Sequence, residues 1–179
     1  IVKNGTDPRN LLAVTFTSKA AKEMRERIVG RLEEEHIIEK ENPYHHTPII
    51  KTFHSLGLMM LSEQSDRLNL LRHPTILDSA DSLSIIKRAV EQLGLDPKIN
   101  DPSKFRSIIS REKGDFVNQA QYKQKVATAQ MDMVASVWRI YEEELKRQRA
   151  VDFDDLIVRA VYMLEEHADI REYYQHRFR

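Results

Sequence analysis

The sequence predicts an α/β fold in which part of a parallel sheet is followed by a mainly α-helical module. Residues 10–28 and 49–60 each have the pattern of a strand that runs directly into a helix. After about Ser62 the strand signals nearly vanish, and apolar residues recur at helical spacing. The first third of the chain therefore supplies a sheet fragment, and the rest supplies helices.

The first strand is predicted from about Asn10 to Phe16. Residues 11–14 form a continuous apolar run, as expected for a parallel strand that is covered on both faces. Thr17 or Ser18 can cap the next helix with a side-chain oxygen. The apolar stripe of that helix comprises Ala20, Met24, Ile28 and Leu32.

The second strand is predicted from about Ile49 to Phe53, after a loop over residues 39–48 that contains two prolines. A helix rich in Leu and Met follows this strand. Strand, helix and strand within this span indicate a parallel pair with a right-handed crossover. Upstream, residues 1–5 are expected to end a helix, with Gly5 as its cap.

The helical module begins after a short strand signal at residues 75–78. Asp78 or Ser79 is expected to cap a helix that reaches Leu93. Trp138 is the expected anchor of the core, because it lies on the apolar stripe of the longest predicted helix. Further helices are predicted over residues 101–114, 127–149, 152–166 and 169–179.

Composition limits the class of protein. The 179 residues contain 28 basic and 28 acidic side chains, so any nucleic-acid site must be local. The lack of Cys excludes a disulfide framework and agrees with a cytoplasmic location. No apolar run approaches the ~20 residues that cross a bilayer, so no membrane partner is expected. The start at Ile1 and the end at Arg179 suggest a segment cut from a longer protein.

The sequence predicts no catalytic residue and no metal ligand within the chain. No Gly-x-x-x-x-Gly-Lys-Ser/Thr motif occurs, and the five glycines are scattered. No apolar strand ends in the paired acids that would hold Mg²⁺. We therefore expect the chain alone to lack complete catalytic machinery.

Some polar residues allow two interpretations. The pair His45-His46 lies in the predicted loop and is interpreted as solvated rather than metal-binding. His54, at a strand end, is either a helix-start residue or a donor to a phosphate or an acid. Asp152, Asp154 and Asp155 are interpreted as first-turn acids that cap a helix and complement its dipole, rather than as a metal cluster.

Phe16 and Phe53 form the candidate ligand site. A single Phe that closes a buried strand usually belongs to the core. Two of them, each followed by hydroxyl and amide donors at the carboxyl end of a strand, favour a ledge that stacks bases without regard to sequence. The groups expected to hold phosphates there are Thr17, Ser18, Ser55 and, at the positive end of a helix, Lys19.

At these residues the chain resembles a known family. The segment Ala13-Val-Thr-Phe-Thr-Ser-Lys-Ala-Ala-Lys-Glu-Met-Arg-Glu-Arg27 closely resembles motif Ia of the UvrD/Rep/PcrA group of superfamily 1 DNA helicases. Thr52-Phe-His-Ser-Leu56 resembles the next conserved block. Ile76-Leu-Asp78, Val151-Asp-Phe-Asp-Asp-Leu-Ile157 and Tyr173-Tyr-x-x-x-Phe178 follow in the family's order, so the resemblance covers essentially the whole chain.

The resemblance implies a fragment of a P-loop NTPase (RecA-like) sheet followed by an inserted helical subdomain. Residues 1–53 would belong to motor domain 1A, and residues 54–179 to helical subdomain 1B with a return toward 1A. The parent would hydrolyse ATP with Mg²⁺ and move 3′ to 5′ along single-stranded DNA. The phosphate loop and the Mg²⁺-binding acids would lie outside both ends, so this fragment would bind neither ATP nor Mg²⁺ and would be inactive alone.

The resemblance also assigns DNA contacts. Phe16 would stack on a base, and the path of the DNA strand would be lined by Thr15, Thr17, Thr52, His54 and Ser55. Ser18, Lys19 and Phe53 complete the set of predicted DNA-binding residues. Many family members have Asn where this chain has Ser18, and Ser retains the ability to cap. The implied partners are single-stranded DNA, single/double-strand junctions, the rest of the helicase chain, and accessory repair or replication proteins.

Two alternatives stay open. A related superfamily 1 helicase-nuclease subunit would share these motifs, and a nuclease domain downstream would identify it. A noncatalytic helical interaction module would lack a Gly-Lys-Thr loop just upstream.

Overall fold

The computed structural model describes residues 5–38, 47–68 and 70–178. The chain divides into two compact units. Ile1–Met59 together with Val161–Arg179 form the first, here called the sheet unit, and Met60–Ala160 form the second, the helical unit. The correspondence of these units to the family's motor domain and inserted subdomain stays a prediction, as does the expected boundary after Phe53.

The sheet unit contains a two-stranded parallel sheet, β1 (Leu12–Thr15) and β2 (Ile49–Thr52), joined through helix α1 (Ser18–Glu34). The predicted parallel pair is confirmed. The first strand is shorter than expected, because Pro8–Asn10 forms a 3₁₀ turn in which the Asn10 amide bonds the Asp7 carbonyl at 3.0 Å. The predicted helix tail over residues 1–4, the loop residues 39–46 and the pair His45-His46 lie outside the described residues.

The remaining helices account for most of the described chain. None of the helices in the described ranges combines the length and the apolarity that a membrane span requires. Their bounds are α2 (Phe53–Glu63), α3 (Ser65–Leu68), α4 (Ser79–Gln92), α5 (Pro102–Gly114), α6 (Gln119–Gln124), α7 (Ala129–Gln148), α8 (Phe153–Glu166) and α9 (Ala168–Arg177).

The helical unit contains a second parallel sheet, which the sequence did not predict in full. One helix was expected to end at Arg149 and the next to begin at Asp152, with no strand between them. Strand β4 (Ala150–Asp152) pairs with β3 (Thr75–Leu77), and Ile76 lies opposite Val151. Arg149 ends α7 in the left-handed conformation, with φ 51°, and this sharp turn makes room for the strand. Three residues are too few for a strand periodicity to be visible in sequence. The short helix α6 was also not anticipated.

The core of the helical unit is built mainly from α4, α5 and α7. Trp138 is fully buried and packs against Tyr122 with ring centroids 5.6 Å apart. Its indole N–H donates to Glu142 Oε1 at 3.0 Å, which satisfies the polar end of the ring. The prediction that Trp138 anchors this core is confirmed.

Lys113, on α5, is buried at 3% exposure among three carboxylates. Its Nζ lies 2.8 Å from Asp152 Oδ2, 2.9 Å from Asp155 Oδ1 and 3.0 Å from Glu142 Oε1. Burial would lower the pKa of Lys113, but Asp155, Asp152 and Glu142 together outweigh burial and raise it. The ammonium therefore stays charged and joins α5, α7, β4 and α8.

Asp152 has a second role at the start of α8, where its Oδ1 accepts a hydrogen bond from the Asp155 amide at 2.8 Å. The interpretation of these acids as helix caps therefore holds for Asp152, and the sequence did not reveal their buried cation. Burial raises the pKa of Asp152, but Lys113 more than offsets this and lowers it below the ordinary value. The contribution of Asp152 to stability is thus present at neutral pH and is lost as the pH falls through its depressed pKa.

We predict that Lys113→Met lowers the free energy of unfolding by about 3 to 5 kcal/mol, because it leaves buried carboxylates without their cation. Urea denaturation followed by circular dichroism measures the change. Lys87→Met, at an exposed position of α4, is the control and should change stability by no more than about 0.5 kcal/mol. Equal effects of the two substitutions would show that the Lys113 cluster does not stabilise the fold.

Candidate nucleic-acid interface

The sheet register brings the two Thr-Phe sequences to one edge. Leu12 lies opposite Ile49, and Thr15 lies opposite Thr52. Both threonines are the last residues of their strands, so the two phenylalanines that follow leave the sheet side by side. This is the carboxyl edge, where open α/β sheets bind their ligands.

Phe16 and Phe53 form an exposed aromatic pair. Their ring centroids are 5.3 Å apart, and the planes are inclined by 49°. Phe16 is 89% exposed and Phe53 is 45% exposed. The core interpretation of these residues is therefore wrong, and the rings offer an apolar surface to a flat ligand.

Two threonine hydroxyls hold the turn between β1 and α1. Thr17 Oγ1 accepts a hydrogen bond from the Ala20 amide at 3.1 Å, which makes Thr17 the cap of α1 as predicted. Thr15 Oγ1 donates to the Thr17 carbonyl at 3.0 Å. Both hydroxyls thus fix the backbone conformation around Phe16.

Thr52 performs the same task at the start of α2. Its side chain is buried, and its Oγ1 accepts from the Ser55 amide at 3.2 Å. The same hydroxyl donates to Ser55 Oγ at 3.0 Å. Ser55 is exposed, and its own hydroxyl proton remains available for a ligand oxygen. His54, between Phe53 and Ser55, is half-buried.

The amino end of α1 supplies a positive potential next to Phe16. Ser18 and Lys19 are its first two residues, and amides in a first turn have no partner within the helix. The 17-residue helix also directs the positive end of its dipole there. The Lys19 side chain is 88% exposed, and its Nζ lies 4.0 Å from Glu23 Oε1.

Sequence reasoning missed Arg25, which ties α1 to the sheet. Its guanidinium donates to the Ile50 carbonyl of β2 at 2.6 Å. Neighbouring Lys22 and Arg27 carry the same charge on the same helix, so no local pattern distinguishes Arg25. Only the packing of α1 on β2 shows that Arg25, rather than Lys22 or Arg27, contacts the strand.

The donors of the described residues do not fit a Mg²⁺–ATP site. Within the described ranges, no group of three His, Asp or Glu side chains is arranged to hold a metal ion. The Asp152 and Asp155 carboxylates converge on the Lys113 ammonium, which takes the place of a metal ion.

Comparison with known proteins agrees with the motifs. Residues 1–179 match the UvrD/REP helicase N-terminal domain. The chain belongs to the UvrD/REP helicase family. This confirms both the resemblance and the α/β fold class predicted from the sequence.

Several relatives are named ATP-dependent DNA helicase PcrA. The protein of Bacillus subtilis is 36% identical over 172 residues, which cover 96% of this chain and 22% of that protein. Those of Leuconostoc citreum and Staphylococcus aureus are each 34% identical, with the same two coverages. The chain thus spans 22% of the length of these curated relatives.

We predict that Thr52→Val weakens the start of α2, because the Ser55 amide loses its acceptor. The free energy of unfolding should fall by about 1 kcal/mol, and the Ser55 amide should exchange with solvent faster. Hydrogen exchange and urea denaturation measure these effects. Thr75→Val, at an exposed position of β3, is the control. Unchanged exchange at Ser55 would contradict the capping role of Thr52.

Proposed function

We propose that this chain is the part of an ATP-dependent 3′–5′ DNA helicase that holds single-stranded DNA and carries the subdomain near the duplex. One observation carries the proposal: two exposed phenylalanines stand together at the carboxyl edge of an in-register parallel sheet. Membership of the UvrD/REP family supports it. The full-length protein would act in the cytoplasm on single/double-strand junctions and would hold ATP and Mg²⁺ through residues outside this chain.

The chemistry of the carboxyl edge of the sheet suits single-stranded DNA of any sequence. Each base stacked on an aromatic ring contributes about 1–3 kcal/mol, whatever the base. Ser18, Lys19 and Ser55 present hydroxyl, ammonium and amide donors beside the rings, which suit phosphate oxygens. With 28 basic and 28 acidic side chains in the chain, such a local arrangement is the means of attracting a polyanion.

The other proposed DNA-contacting residues have a positioning role in this proposal. Thr15, Thr17 and Thr52 use their hydroxyls inside the protein, so they would place the rings. Thr17, which is exposed, would also offer its outer surface to the DNA strand. His54 would lie beside the strand path from the first turn of α2.

We predict that Phe16→Ala in the full-length helicase raises the oligothymidine concentration for half-maximal ATPase stimulation by about tenfold, as loss of one stacking contact implies. Phe16→Trp should retain stimulation, whereas Phe16→Leu should lose most of it, because Leu is apolar but has no π face. Titration of ATPase rate against oligothymidine measures the effect.

The control is Ile99→Ala, which removes an apolar side chain that is 80% exposed in the helical unit. It should leave stimulation unchanged. DNA-stimulated ATPase that is equally intact in Phe16→Ala and Ile99→Ala would refute the stacking role of Phe16.

We also predict that Lys19→Ala reduces the dependence of single-stranded DNA binding on salt. Loss of one phosphate contact should lower the slope of log K against log salt by about 0.7. Lys22→Ala is a matched control, because Lys22 pairs with Glu26 at 3.9 Å much as Lys19 pairs with Glu23 at 4.0 Å, one turn farther from the helix end. Equal slopes for the two variants would exclude a phosphate contact at Lys19.

A further inference from the structure

A groove of about 740 Å³ lies in the sheet unit, beside β2 and away from the aromatic pair. Its lining includes Asn10, Thr47 and Pro48, which precede the strands, whereas Phe16 and Phe53 follow them. The groove therefore follows β2 from the residues that precede it to Lys51, and its lining does not include the aromatic pair. We call this feature the edge groove; its volume is in the range of protein ligand sites.

Backbone geometry shows which side of β2 the edge groove follows. The Ile49 amide donates to the Leu11 carbonyl at 2.9 Å, so Ile49 faces β1. Because successive residues of a strand point their backbone groups to opposite sides, the Ile50 carbonyl faces away from β1. Arg25 covers this carbonyl at 2.6 Å, and Pro48 has no N–H to offer. Addition of another strand is therefore disfavoured, and an occupant must bind through its side chains.

The floor of the edge groove is aliphatic. Val29 of α1 and Pro48, Ile49 and Ile50 of the strand region form it. The lining also contains Tyr173, which is 50% exposed and has the Arg177 guanidinium 5.9 Å from its ring centroid. Such a floor suits aliphatic side chains better than stacked bases.

The rim is basic. Arg9, Arg25, Lys51 and Arg177 line the groove, and Glu26 is the single carboxylate among its described lining residues. Glu26 already has a cation, Lys22, at 3.9 Å, and Arg9 already has an anion, Asp7, at 2.6 Å. Lys51 forms no ion pair with any other described residue. The rim therefore attracts negative charge.

We propose that the edge groove docks an acidic segment of a partner protein. Carboxylates of that segment would pair with Lys51, Arg25 and Arg177, and its apolar side chains would cover Val29 and Ile49. The occupant is a peptide rather than nucleic acid because the floor is aliphatic. This proposal does not depend on DNA binding at Phe16 and Phe53.

The test uses the full-length helicase and a short fluorescein-labelled peptide of alternating Glu and Leu. Anisotropy should show salt-sensitive binding, and a Gln-Leu peptide of the same length should bind about tenfold more weakly. Lys51→Glu should weaken binding of the Glu-Leu peptide by about tenfold, and Lys51→Gln by less. Lys87→Glu, an equal charge reversal on α4, should leave the affinity unchanged.

Two results would overturn the proposal. The first is equal affinity of the Glu-Leu peptide for the wild type, Lys51→Gln and Lys51→Glu. The second is displacement of the peptide by oligothymidine, if binding of the oligothymidine also depends on Lys51. That result would make the groove a nucleic-acid site. Lys51→Glu should retain DNA-stimulated ATPase, so failure at the groove is distinguishable from failure at the aromatic pair.

Discussion

The in-register parallel pairing of β1 and β2 is the constraint on which the candidate interface depends. Thr15 and Thr52 end their strands opposite each other, so the next residue of each strand emerges at the same edge. Because side chains alternate between the faces of a sheet, a slip of one residue would separate the two rings and place one threonine on the wrong face. The buried Ile50, which is 1% exposed, holds the register, since a slip would move it into solvent.

The same type of strand-to-helix junction places an exposed phenylalanine in each unit. Thr52 accepts from the amide three residues on, and Asp152 does the same at the start of α8. In both cases the strand passes into the helix without a loop, and the intervening Phe points outward: Phe53 is 45% exposed and Phe153 is 55% exposed. The neutral threonine needs no further partner, whereas the buried aspartate requires the cation of Lys113. The difference in charge explains why only the second junction has a buried ion cluster.

Local patterns predicted much of this structure, and long-range contacts account for what they missed. The apolar run before Thr15 and the helical stripes predicted the main strands and helices. The Thr-Phe ends indicated the candidate interface because the pairing of the two strands brings them together. The pairing of β4 with β3 joins residues that are far apart in sequence, and three residues carry no periodic signal. Lys113 and Arg25 resemble other surface cations in sequence, and only packing reveals that one is buried and the other covers a strand carbonyl.

The residues of the interface separate into those that support the fold and those that do not. Thr52 is buried and caps a helix, so its loss changes both the fold and the edge. Phe16, at 89% exposure, buries little apolar surface and therefore contributes little to folding. An exposed large aromatic ring is not explained by stability, and under the proposed DNA binding the neighbouring ring and the adjacent hydrogen-bond donors would give it a use. Because its substitution should leave the fold intact, Phe16 is the position at which ligand binding can be separated from stability.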